Sequence, residues 1–176
     1  MFKYVSIPII GFLLVSSLVL AITNNKLEVM YEQSYNQTQP ISAAERERQL
    51  TCLARNIYYE SAHEPFEGKV AVAQVTLNRV ADSEFPDDVC AVVYQIKHHT
   101  LGKTCQFSWY CESPSKLKQI NQALYEESYA VAKRVLLEGF RLDSLNEALY
   151  YHADYVNPRW KMAKITKIGR HIFYRG

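Results

Sequence analysis

Eighteen consecutive residues, Val5 to Ile22, form a dense apolar run, and no charge occurs from Tyr4 to Asn25. As a helix this run is about 27 Å long, close to the hydrocarbon thickness of a bilayer. It is apolar all round, with no polar face, which argues against a helix lying on a globular core. Lys3 and the amino terminus precede it and stay cytoplasmic, which exports the rest of the chain. Two readings compete. One is a cleaved signal peptide, with Val19 and Ala21 as a passable cleavage pair. The other is an uncleaved anchor spanning residues 4–25, slightly preferred because the run is long for a signal-peptide core. Residues 1–25 are thereby assigned to the membrane segment. Residues 26–45 are polar and rich in Gln, Asn and Ser, with little to bury, and read as a flexible tether. The globular unit is then a single domain over 46–176.

Composition narrows the function. Hydrophobic residues make up 48% and charged residues 22%, which excludes wholesale disorder and a multi-span membrane protein. A formal charge of +2 gives no case for nucleic acid as a partner. The 13 tyrosines suit a surface that grips a polar ligand with apolar faces, such as a sugar chain.

Cysteine usage supports export. Cys52, Cys90, Cys105 and Cys111 are an even set behind an export signal, which suggests disulfides. The C-x5-C spacing at 105–111 suits a short loop closure and leaves Cys52–Cys90 as the other pair. Zinc is a weaker alternative, since no C-x2-C is present and His98–His99 has no finger-like spacing to Cys105. A cysteine nucleophile, Cys52 or Cys105 with His152, is also open.

The patterning predicts a mainly α domain with a small β-sheet (α+β). A helix is expected over 43–62, with Leu50, Leu53, Ala54 and Ile57 on one stripe. After a turn at 63–65 a second runs over 66–80, although its β-branched valines leave a strand open. A third follows the Pro-Asp signal at 85–88, with Val89, Val92, Val93 and Ile96 inward. Residues 97–114 read as one long loop, and a helix is expected over 115–138 with Leu117, Ile120, Leu124, Val131 and Val135 inward. Two aromatic, β-branched runs near 148–156 and 170–175 read as strands.

The chemistry centres on Glu60. It lies three residues after Ile57 and seven after Leu53, so it sits at the edge of the apolar stripe, flanked by Tyr58 and Tyr59. A carboxyl against such walls loses hydration, its pKa rises, and it can hold a proton at neutral pH as a general acid must. The plain reading is a solvated glutamate or a salt-bridge partner at a helix end.

Four segments together resemble one family. LARNIYYESAHEPFEGKVAVAQVTLNRV (53–80), CQFSWYCE (105–112), YYHADYVNPRW (150–160) and IGRHIFYR (168–175) resemble, in order, the motifs of the SleB/CwlJ-type cell wall hydrolases. The resemblance spans about 125 residues from about residue 50. It implies a lysozyme-like catalytic domain, related to soluble lytic transglycosylases, that cleaves peptidoglycan between N-acetylmuramic acid and N-acetylglucosamine. It puts the family's catalytic glutamate on Glu60 and its second motif glutamate on Glu64. Tyr59, Ser61 and His63 depart from the small residues common there.

A single acid suffices if the substrate supplies its own nucleophile. Glu60 would protonate the glycosidic oxygen and then accept the proton of the muramic C6 hydroxyl as that oxygen closes on C1. Ordinary glycosidases use two carboxylates, and Glu112 and Asp154 are the only other candidates borne on the motifs, Glu64 being too near in sequence. Gln106 and Ser108 are expected to hydrogen-bond the sugar, and Phe107 and Trp109 to pack on a sugar face; the same segment also reads as a stapled structural loop. Tyr151 and His152 alternate on a strand, so only one is expected to face the cleft. Glu64 and Tyr59 complete the expected substrate contacts, and Asn78 and Arg79 read as core-fixing. The basic stretch 155–176 reads as a solvated face or as an attraction for anionic wall polymer or phospholipid head groups. No cofactor and no metal are expected. The expected partners are peptidoglycan strands and the membrane, with a monomer tethered in the periplasm or cell envelope, or secreted. The rivals are a zinc or cysteine amidase or peptidase and a non-catalytic wall-binding module.

Overall fold

The computed structural model describes residues 19–30, 41–100, 102–112 and 119–176. The chain divides into two units at Ser42/Ala43. In the first, residues 19–30 are helical and exposed, so the helix runs past the apolar stretch into the start of the expected tether. Among the described residues no helix is long and apolar enough to cross a membrane; most of the apolar stretch, residues 5–18, lies outside them.

The second unit is α+β. Helix α1 (Ala43–Ser61) buries Leu50, Leu53, Ala54 and Ile57, the stripe its periodicity predicts. Arg48 ties its first turn to Glu45 and to Asp88, which caps α3. Helix α2 (Phe66–Ala81) follows Pro65, whose fixed φ suits the residue ahead of a helix. Val70, Val72 and Val75 are wholly buried on different faces, which explains the ambiguous pattern: a helix enclosed on all sides shows neither period. It packs on α1, on α5 and on strand β3. In α3 (Val89–Val93) the Asp88 carboxylate accepts from the Ala91 amide at 2.9 Å. Cys90 joins Cys52 of α1 across 38 residues of chain.

The expected long loop is built differently. Strands β1 (Ile96–His99) and β2 (Gly102–Cys105) form an antiparallel hairpin, and α4 (Ser108–Cys111) follows. The hairpin was illegible because its residues are nearly all exposed, so no apolar alternation marks it, and Ile96 belongs to it rather than to α3. Helix α5 starts only at Gln122 (Gln122–Leu136), where the Asn121 side chain accepts from the Leu124 amide at 3.1 Å. Ile120 is therefore outside the helix and exposed, and Leu117 lies outside the described residues. α5 ends near Gly139, whose φ of +71° reverses the chain.

Buried Gln74 pins the return: its side chain accepts from the Leu142 amide at 2.7 Å and donates to the Leu142 carbonyl at 3.1 Å. A short 3-10 turn (Asp143–Leu145) leads into a sheet of three antiparallel strands, β3 (Ala148–Ala153), β4 (Lys164–Ile168) and β5 (His171–Arg175), in the order β3-β5-β4. The sequence predicted two strands; β4 is a half-exposed edge, Lys-Ile-Thr-Lys-Ile, with too weak an apolar pattern to read. Ala148 and Phe173 close on Ala71, Val75 and Leu145 of the core.

Candidate active site

The last turn of α1 delivers Glu60 to an open cleft. Two hollows of about 380 Å³ each meet there, a size within the range of small-ligand sites. The first is walled by residues including Tyr58, His63, Glu64, Trp109 and Glu112, the second by residues including Arg79, Gln106, Phe107, Tyr151, His152 and His171. Tyr59, Glu60 and Ser108 border both, so the carboxyl stands on the divide.

The Tyr151 hydroxyl donates to Glu60 Oε2 at 2.9 Å. Oε1 has no hydrogen-bond partner among the described residues. Burial pushes the Glu60 carboxyl above the ordinary carboxylate range; the Tyr151 hydrogen bond and the Arg79 charge offset part of this, and the Glu112 charge adds to it. Burial, seconded by Glu60 itself, holds the Tyr151 phenol well above its usual range. Tyr151 therefore remains a donor. The periodicity argument expected a partly dry carboxyl here; the tyrosine that clamps it comes from a strand 91 residues away.

Arg79, at the end of α2, is 4% exposed and lies over the rings of Phe107, Phe85 and Tyr150 at 5.3, 5.5 and 5.9 Å. Its Nε donates to the Leu149 carbonyl at 2.8 Å, while Nη1 is buried with no hydrogen-bond partner. The guanidinium borders the second hollow as well as fixing the core. Asn78 has the core role alone, holding the carbonyls of Leu145 and Ala148 at 2.8 and 2.9 Å.

The Cys105–Cys111 disulfide closes the loop that carries Gln106, Phe107, Ser108 and Trp109 to the cleft. With both bridges formed there is no free cysteine, so none is left as a zinc ligand or as a nucleophile. Among the described residues no group of three His, Cys, Asp or Glu is placed to hold a metal. Phe107 and Trp109 differ from expectation: they are 3% and 8% exposed, buried as wall rather than offered as sugar platforms. One face of the Trp109 ring is taken by Tyr59, stacked at 4.5 Å. Its indole N–H donates to Asn56 Oδ1 at 3.1 Å, and Asn56 donates in turn to Thr76 at 3.1 Å. Sequence reasoning passed over Asn56; the available signal was an amide on the apolar stripe, three residues after Leu53.

Tyr151 and His152 separate as strand alternation requires, but both border the second hollow. His152 is tied into the sheet, Nδ1 lying 2.9 Å from the Ala153 carbonyl and Nε2 2.9 Å from the Tyr174 hydroxyl. Burial lowers the His171 pKa, and its Nδ1 is buried without a partner. Of the other carboxylates, Asp154 is held by Lys167 at 2.8 Å, and Glu64 Oε2 accepts from the Arg170 amide at 2.9 Å. Glu112 is exposed in the first hollow and has no ion pair among the described residues.

Gly169 makes the Glu64 contact possible. Its φ is +55°, and a Cβ there would lie 1.9 Å from Glu64 Oε2. Gly169→Ala is expected to lower stability by about 1–3 kcal/mol through left-handed strain and loss of that contact. Urea unfolding checks this; a loss below about 0.5 kcal/mol, the range of an inert surface change, would contradict it.

The Cell Wall Hydrolase family matches residues 63–174, a span that starts just after Glu60. The spore cortex-lytic enzyme of Bacillus cereus is 31% identical over 128 residues, covering 70% of this chain and 43% of that protein. The chain thus spans less than half of that relative's length. Two solved structures are similar. The catalytic domain of the Bacillus cereus SleB protein has a TM-score of 0.54 at 28% identity, covering 73% of this chain and 91% of that one. The catalytic domain of the germination-specific lytic transglycosylase SleB from Bacillus anthracis has a TM-score of 0.52 at 28% identity, covering 72% and 93%. Matched over most of its length by the family and by the catalytic domain of its relatives, this chain belongs to the SleB/CwlJ-type cell wall hydrolases.

Proposed function

We propose that the chain cleaves the glycan strands of peptidoglycan between N-acetylmuramic acid and N-acetylglucosamine as a lytic transglycosylase, with Glu60 as the single acid and base. The observation that carries this reading is a half-buried carboxyl on the divide of two hollows, clamped through one oxygen and without a hydrogen-bond partner at the other among the described residues. A glycan laid across both hollows would put one linkage over Glu60. Its raised pKa keeps a proton available for the leaving glycosidic oxygen. As the C1–O bond breaks, the electron pair goes to that oxygen with the proton from Glu60. The Tyr151 hydroxyl then supports the carboxylate left behind. That carboxylate takes the proton of the muramic C6 hydroxyl, whose oxygen bonds to C1 and closes a 1,6-anhydro ring. The attack is intramolecular, so it needs no second acid and no bound water.

A second reading has one specific support. Glu112 borders the first hollow with no ion pair among the described residues, where it could activate a water and make the enzyme an ordinary hydrolase. Mass spectrometry of the digested glycan separates the two. The transglycosylase gives anhydro ends; products heavier by one water, with free reducing ends, would establish hydrolysis instead.

The same reading assigns residues 1–25 to a signal peptide or anchor, 26–45 to a tether and 46–176 to the catalytic domain, acting outside the cytoplasmic membrane as a monomer. The uncharged apolar run and the two disulfides support export.

A further inference from the structure

Residues 155–176 contain six Lys or Arg and no Asp or Glu. Three are matched: Lys167 and Arg170 lie 2.8 and 4.0 Å from the Asp154 carboxylate, and Arg175 pairs with Glu147. Arg159, Lys161 and Lys164 are exposed and have no ion pair among the described residues. All three fall within six residues of chain, on the loop between β3 and β4 and the first residue of β4.

This loop continues the wall of the cleft. Tyr155, at its start, borders the hollow beside Glu60 and is 78% exposed. Trp160 packs edge-on against His152, Tyr174 and Tyr150 at 5.4, 5.6 and 6.2 Å, and His152 borders the same hollow. Between them, Arg159 has a φ of 54°, making it the one non-glycine residue in the left-handed region among those described. That conformation costs about 1–2 kcal/mol for an L-residue, and such strain concentrates at functional sites.

We propose that Arg159, Lys161 and Lys164 form a cationic shelf that binds the free carboxylates of the peptide stems on the glycan strand, an inference that rests on the glycan-cleaving reading above. A stem of four or five residues extends roughly 13–18 Å, long enough to leave the hollow and cross a loop whose first residue lines it. Charge complementarity selects acidic groups. Continuity with the hollow selects groups carried by the substrate, rather than a lipid surface that would meet the loop from elsewhere. The shelf sets a preference for peptide-bearing glycan, while bond cleavage belongs to Glu60.

The test is binding, measured apart from catalysis. Full-length Glu60→Gln protein is sedimented with sacculi freed of phosphate polymers, carrying either native carboxyls or carboxyls converted to amides. Adding Arg159→Gln, Lys161→Gln and Lys164→Gln is expected to weaken binding to native sacculi about tenfold, the size of three exposed charge pairs, and to leave binding to amidated sacculi unchanged. Lys133→Gln, on the exposed side of α5, should leave both unchanged. Equal loss on both sacculi, no loss on native sacculi, or a loss seen only with phosphatidylglycerol vesicles would overturn the shelf. If wild-type protein releases no glycan while the carboxyl-dependent pattern holds, the cleavage reading fails and the shelf stands as a wall-binding surface.

Discussion

Glu60→Gln is expected to reduce release of glycan fragments from sacculi by about 10²–10⁴-fold, the contribution typical of a positioned proton donor. The isostere keeps a partner for the Tyr151 hydroxyl, so the loss reports the proton rather than the shape of the cleft. The same substitution should raise the unfolding midpoint at neutral pH. The Glu60 pKa is raised in the fold, so the native state holds the proton more tightly than the unfolded chain. Ionising the group therefore costs stability, a cost absent below the ordinary carboxylate range and complete once pH has passed the raised value. The stabilisation by Gln should be present at neutral pH and vanish in acid. Wild-type activity should fall as pH rises through that raised value. Full activity in the Gln variant, with its fold intact, would remove Glu60 from the reaction.

Breaking Cys52–Cys90 should be the most damaging change to stability. Opening a loop closed over a separation of 38 residues costs about 4 kcal/mol by the chain-entropy relation, against about 2 kcal/mol for the separation of 6 at Cys105–Cys111. For a unit of this size the first corresponds to a fall of roughly 12–16 °C in Tm. The difference in function should run the other way. Cys105–Cys111 closes the segment that lines both hollows, so the Cys105→Ser, Cys111→Ser pair should lose activity at temperatures where the protein is still folded. The Cys52→Ser, Cys90→Ser pair, tying α1 to α3 away from the cleft, should lose activity only as it unfolds. Calorimetry with parallel activity measurements checks both; equal midpoints for the two pairs would contradict the loop-length argument.

The positions that sequence reading reached share a property: their signal is local. The stripe Leu50, Leu53, Ala54, Ile57 is a period within one helix, and it already put Glu60 at the edge of a dry surface. The C-x5-C pairing is a short loop and needed no tertiary information. The hairpin Ile96–Cys105 and the edge strand Lys164–Ile168 escaped because exposed strands carry no burial pattern to detect. Phe107 and Trp109 stayed divided between sugar contact and structural loop for a related reason: an aromatic side chain reads the same in sequence whether it lines a groove or fills the wall behind it.

What the amino-acid sequence by itself determined is the kind of protein this is: an apolar amino-terminal run, an even set of cysteines, four motifs in family order and one glutamate at the end of an amphipathic helix. What only the tertiary structure decided is how that glutamate is equipped. The Tyr151 clamp, the buried Arg79 charge, the Trp109–Asn56–Thr76 relay and the Glu64 contact to the β4–β5 turn join residues 18 or more positions apart, most of them on different elements. Periodicity reports which face of one element is dry, and it carries no record of which other element arrives to cover it.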